Sequence, residues 1–133
     1  MIRETGRTMD IVRIRREVTA ALGTFPNVEV YPDGSGGVYV RALLQSSLGT
    51  VHFITLQFPN YPYEMPKVFV TKPDLGTIYK HRYNTGNICY LYPSYWNPGL
   101  HDVTFVLGRV AKWINKFEVY KQTGRWPGAE LTH

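Results

Sequence analysis

Apolar positions along this chain change period twice, and the changes mark its elements. Ile11, Ile14, Val18 and Leu22 recur at spacings of three and four, which predicts a helix over about 9–22 with one inward stripe. Thr8 stands where a helix cap belongs, Gly23 where a helix stops, and Pro26 forbids continuation. Arg13, Arg15 and Arg16 fall mostly on the remaining, outward surface. The period then drops to two. Segments 28–31, 37–44, 51–58 and 67–71 read as strands. In the third, Val51, Phe53, Thr55 and Gln57 face one way and His52, Ile54, Leu56 and Phe58 the other. Pro32-Asp33-Gly34 signals a turn. Connections this short favour an antiparallel meander.

From 72 to 101 no period survives, and Pro73, Gly76, Gly86, Pro93 and Pro98 punctuate the stretch. Long irregular segments inside a compact domain carry function more often than not. A second helix is predicted over 102–117, where Val103, Val106, Leu107, Val110, Trp113, Ile114 and Phe117 make a wide apolar face. Asp102 at its start suits the helix dipole. Residues 119–133 read as an ordered irregular tail, since Trp126 needs somewhere to bury. Helix, four-stranded antiparallel meander, long loop and helix make one α+β domain over 1–133.

Composition narrows the partners only a little. Apolar residues at 44% and charged residues at 19% fit a globular chain, and a formal charge of +5 is a weak pointer to an acidic or nucleic-acid partner that solubility alone would also explain. Basic residues concentrate on a helix and the strands show no aromatic stacking motif, which argues against nucleic acid as the partner. No run is apolar enough to span a bilayer, and the N-terminus lacks the apolar stretch of a signal peptide. With a single cysteine, these features place the chain in the reducing cytoplasm. No cofactor is indicated. The four His and one Cys show no metal-ligand spacing, which argues against zinc.

The single thiol, Cys89, carries the candidate chemistry. It lies in His81-Arg82-Tyr83-Asn84-Thr85-Gly86-Asn87-Ile88-Cys89-Tyr90-Leu91, followed by Trp96-Asn97-Pro98. Free cysteines are among the most buried residues, so composition alone favours an inert thiol. Placement in a glycine-bearing irregular segment points the other way, to a solvent-reachable thiolate that attacks acyl groups. His81 reads either as a loop histidine bonded to backbone or as a catalytic donor. Asn84 reads as a turn residue fixing loop shape or as an oxyanion donor, beside the backbone amides of 86–89.

Three ordered motifs resemble the ubiquitin-conjugating enzymes, which carry a ubiquitin-like protein on a cysteine thioester. Phe58-Pro59-Asn60-Tyr61-Pro62-Tyr63-Glu64-Met65-Pro66-Lys67-Val68 resembles that family's F-P-x-x-Y-P-F-x-x-P-K-V, one residue shorter near its front. Gly86-Asn87-Ile88-Cys89 resembles its active-site G-x-I-C, and Trp96-Asn97-Pro98 its W-x-P. The match covers about 8–118. One departure stands out: the family's H-P-N is replaced by His81-Arg82-Tyr83-Asn84, so either His81 or Asn84 takes the place of its asparagine. Cys-Tyr-Leu-Tyr-Pro and the tail Thr-Gly-Arg-Trp-Pro-Gly-x-Glu-x-x-His resemble a bacterial branch found in ubiquitin-like conjugation systems and in anti-phage operons built around a cyclic-oligonucleotide synthase.

The resemblance implies that Cys89 takes a C-terminal glycyl group from a ubiquitin-like protein or from such a synthase and passes it to a lysine amine. An adenylating activating enzyme is an implied partner, docking on the first helix at Arg13, Arg15 and Arg16. Tyr61, Pro62, Tyr63 and Trp96 are further candidate partner contacts, with Trp96 also packing beneath the active loop, and Tyr61-Pro62 is a candidate cis bond. The rival reading is a non-catalytic relative that binds a ubiquitin-like protein without chemistry.

Overall fold

The first helix, α1 (Ile11–Ala21), starts one residue after Asp10, whose carboxylate accepts from the Arg13 amide at 3.0 Å. The computed structural model describes residues 9–77 and 80–128, so Thr8, the expected cap, lies outside the described residues. Asp10 and the residue before it are held by neighbouring segments. The Val38 amide contacts the Met9 sulfur at 3.3 Å, and the Asp10 amide donates to the Tyr61 carbonyl at 3.0 Å.

Four strands follow: β1 (Val28–Pro32), β2 (Val38–Gln45), β3 (Val51–Gln57) and β4 (Lys67–Lys72). They pair antiparallel in the order β1-β2-β3-β4, the meander that the short connections predict. Strict alternation sets which face is buried. In β3, His52, Ile54 and Leu56 are buried and pair with Leu44, Ala42 and Val40 of β2. Sliding the register by one residue would turn this whole set to solvent.

The second helix, α2 (Val103–Thr123), covers that inner face together with α1. Ile14, Val18, Val40, Leu56, Val68, Val106, Leu107, Val110 and Ile114 belong to one buried cluster. Asp102 caps α2 by accepting from the Phe105 amide at 2.8 Å. The helix runs six residues past 117, so 119–123 is helical rather than irregular. Nothing in Glu118-Val119-Tyr120-Lys121-Gln122 breaks a helix, and the first stop is Gly124, in the left-handed region at φ 76°. The irregular part of the tail therefore begins at Gly124, and residues 129–133 lie outside the described residues. Trp126 folds back into contact with Trp113 and Tyr120, with ring centroids 5.6 and 5.9 Å away.

On the opposite face, Tyr31 and Tyr39 stack at 5.6 Å with the Arg41 guanidinium over both rings, an aromatic grouping that the sequence reading did not find.

Candidate active site

Residues 81–89 form a small antiparallel hairpin within the stretch that lacks periodicity. The Cys89 amide donates to the His81 carbonyl at 2.8 Å, the Tyr83 amide to Asn87 at 2.9 Å, and the Gly86 amide to Tyr83 at 2.9 Å. Gly86 supplies the positive φ of 94° that closes the tip. The Ile88 amide donates to the Val68 carbonyl at 2.9 Å, so the hairpin is fastened to β4.

This pairing decides where the sulfur lies. Cys89 sits at the hairpin base, three residues from the glycine, and is 2% exposed. The expectation of an openly solvent-reachable thiol is therefore corrected, because pairing with His81 draws Cys89 inward. A narrow cleft of about 120 Å³ still reaches it. His81, Cys89 and Tyr90 line it from the hairpin, Arg109, Lys112, Trp113 and Lys116 from α2, and Trp126 from the tail.

Neighbouring groups act directly on the sulfur. The Tyr83 hydroxyl donates to Sγ at 3.3 Å, and the Leu91 carbonyl lies 3.9 Å away. Burial pushes the Cys89 thiol above its ordinary value, while the Tyr83 hydroxyl, a hydrogen bond with the Leu91 backbone and the Arg109 charge pull it down. Tyr83 is itself pushed up to about 12 by burial and by its bond to Cys89, so it stays a neutral donor near pH 7.

His81 serves the site through its backbone. Its φ of 55° is rare outside glycine, and strained residues of this kind gather at functional sites. Its carbonyl accepts from both the Cys89 amide and the Trp113 indole, the latter at 3.1 Å, and its ring packs 4.4 Å from Trp126. His81 and Cys89 thus share one cleft. Asn84 does not join them. It is exposed at the tip and lines a separate groove of about 670 Å³ with Tyr63, Met65 and Trp96. The amides of Gly86, Ile88 and Cys89, other candidate donors, are taken by backbone carbonyls.

The expected partner contacts divide in the same way. Arg13 turns inward: its Nε bonds Glu17 and its terminal nitrogen donates to the Pro98 carbonyl at 2.7 Å and the His101 carbonyl at 3.0 Å. Tyr61 is fully buried with its hydroxyl on Glu17, and Pro62 is buried too. Their peptide bond is cis. Neither faces a partner, because the loop that holds them plugs the core. Trp96 is half-buried and donates from Nε1 to the Pro62 carbonyl at 2.7 Å. Arg15, Arg16 and Tyr63 remain exposed.

Two features escaped the sequence reading. Tyr83 carries no motif, and only the hairpin brings its hydroxyl to the sulfur. The Arg109, Lys112 and Lys116 stripe was legible, since spacings of three and four put cations on one helix face. Among the described residues no group of three His, Cys, Asp or Glu could hold a metal ion, and no helix is long and apolar enough to cross a membrane.

Comparison with known proteins bears on the fold and the family. No curated protein sequence matches the chain. In "A complex of the Vps23 UEV with ubiquitin", the similar chain shares 13% identity and superposes with a TM-score of 0.57. The match covers 80% of this chain and 84% of that one, which shows a shared UBC-like fold. A family profile, E2-CBASS, described as "Type II CBASS E2 protein", matches residues 17–133. That span takes in every element from the middle of α1 onward, so the chain belongs to the type II CBASS E2 family, with a ubiquitin-conjugation-like role in CBASS defence.

Proposed function

We propose that Cys89 holds the C-terminal glycyl group of a ubiquitin-like protein or of a cyclic-oligonucleotide synthase as a thioester and passes it to a lysine amine. In the first step the Cys89 thiolate attacks the carbonyl carbon of a glycyl group activated as an adenylate or thioester by a separate adenylating enzyme. The C–S bond forms as the activating group leaves with its electron pair. In the second step a neutral lysine amine attacks the same carbon. The C–N bond forms, the C–S bond breaks, sulfur departs as thiolate, and the amine's surplus proton goes to water.

The observation that carries this reading is the meeting of a cleft, a thiol and a hydroxyl donor at one atom, Sγ of Cys89. The Tyr83 hydroxyl suits both stages of charge on sulfur, since a donor on the thiolate favours that form. Arg15, Arg16 and Tyr63 face outward, and we assign to them the contacts with activating and acceptor partners. A reducing cytoplasm is the compartment that keeps the one thiol free.

The test is intact-mass analysis of the protein incubated with an activated glycine-ended donor. A hydroxylamine-sensitive adduct should form on the wild type. Cys89→Ser should give a hydroxylamine-resistant oxyester or no adduct while keeping its circular dichroism. Conjugates formed at the normal rate by the folded serine variant would disprove the assignment.

The depth of Cys89 favours a second reading, a module that binds a ubiquitin-like protein without chemistry. The Vps23 UEV was solved with ubiquitin, a partner class compatible with either reading. Alkylation separates the two: under native conditions iodoacetamide labels a working Cys89 near neutral pH and leaves a permanently sealed one unmodified.

A further inference from the structure

We infer that the cleft over Cys89 receives a peptide tail that ends in glycine and carries acidic side chains just upstream of it. The identity of the bound end rests on the thioester reading above, while the charge preference rests on the cleft itself.

Size limits what can reach the sulfur. The cleft has a free volume of about 120 Å³ and opens to solvent on one side. Bare main chain fits there. On the thioester reading the residue next to Sγ is glycine, and the preceding side chains lie along the mouth.

Charge sets what those side chains are. Arg109, Lys112 and Lys116 follow at intervals of three and four along α2, and all three line the cleft. None of the described residues lining it is acidic. Arg109 is held at the inner end, where its Nε donates to the Tyr90 carbonyl at 3.0 Å and its charge acts on the Cys89 thiol. Lys116 stands against the tail strap, its Nζ 3.6 Å from where a Cβ on Gly128 would be. Lys112 is exposed between them. Like charges crowded beside low-dielectric walls concentrate their field, and the matching ligand is a run of carboxylates.

The test uses fluorescein-labelled carboxamide peptides ending in Gly, with Glu, Gln or Lys at the three preceding positions. Their affinities for the intact protein are read by anisotropy at low and high salt. The Glu peptide should bind about tenfold or more tighter than the Gln peptide at low salt, the Lys peptide weakest, and the difference should shrink at ~1 M salt, where the screening length is about 3 Å. Lys112→Glu with Lys116→Glu, folded by circular dichroism, should lose or reverse the order. A second arm offers the same sequences as glycyl thioesters and follows adduct formation on Cys89. Absence of any adduct while the Glu preference persists counts against the thioester reading alone. Equal affinities for the Glu and Gln peptides, or tighter binding of a single-stranded oligonucleotide than of the Glu peptide, would overturn the inference.

Discussion

Cys89 helps to hold Tyr83 neutral while Tyr83 favours the Cys89 thiolate, and the balance between burial and this bond sets how the thiol behaves with pH. Only the thiolate reacts, and each pH unit below the thiol's pKa costs about tenfold in its population. Burial raises the Cys89 pKa and the Tyr83 hydroxyl lowers it, so Tyr83→Phe should raise it further. Native alkylation should then slow severalfold at pH 8, and the two proteins should converge at pH values above both thiol pKa values. A hydroxyl with a purely structural role would change the rate by the same factor at every pH. Cys89 was legible as the candidate nucleophile from its motif. Its burial was not, because whether a thiol is open depends on the hydrogen bonds of residue 81, eight positions earlier.

One buried carboxylate joins the elements around the site. Glu17 of α1 accepts the Tyr61 hydroxyl and, at 3.1 Å, the Val103 amide that begins α2, while its other oxygen takes Arg13. Arg13 in turn grips the carbonyls of Pro98 and His101. The knot ties α1, the Tyr61-Pro62 loop, the Trp96 segment and the start of α2 into one unit behind the hairpin. Glu17→Ala leaves three donors and a charge without their partner, which costs about 3 kcal/mol, measurable as a lower urea midpoint with an unchanged slope. The sequence showed α1, the four strands and the apolar face of α2 because each is a local period. It missed the last turns of α2, where the apolar pattern fades before the backbone has any reason to stop.

The tail acts on the whole molecule. Trp126, 8% exposed, rests on His81, Trp113 and Tyr120 and forms one side of the cleft to Cys89. Trp126→Ala should cost about 3 kcal/mol of stability, as for a large aromatic removed from a packed site. It should also speed native alkylation of Cys89 at denaturant concentrations well below the unfolding midpoint. Loss of stability with no gain in alkylation would show that access to the sulfur does not run past the tail.

Periodicity alone settled that the chain has two amphipathic helices and an antiparallel meander, since burying alternate residues of a strand and one stripe of a helix is a local property of the chain. Motif order alone singled out Cys89. The tertiary structure decided everything that joins distant residues: a hydroxyl from the hairpin on the sulfur, cations from α2 beside it, and an indole from the tail against His81. Asn84 and Tyr61 show the limit most plainly. Each lies in a stretch the sequence marks as functional, yet one turns away from the cleft and the other disappears into the core, because side-chain direction follows from packing that no local pattern encodes.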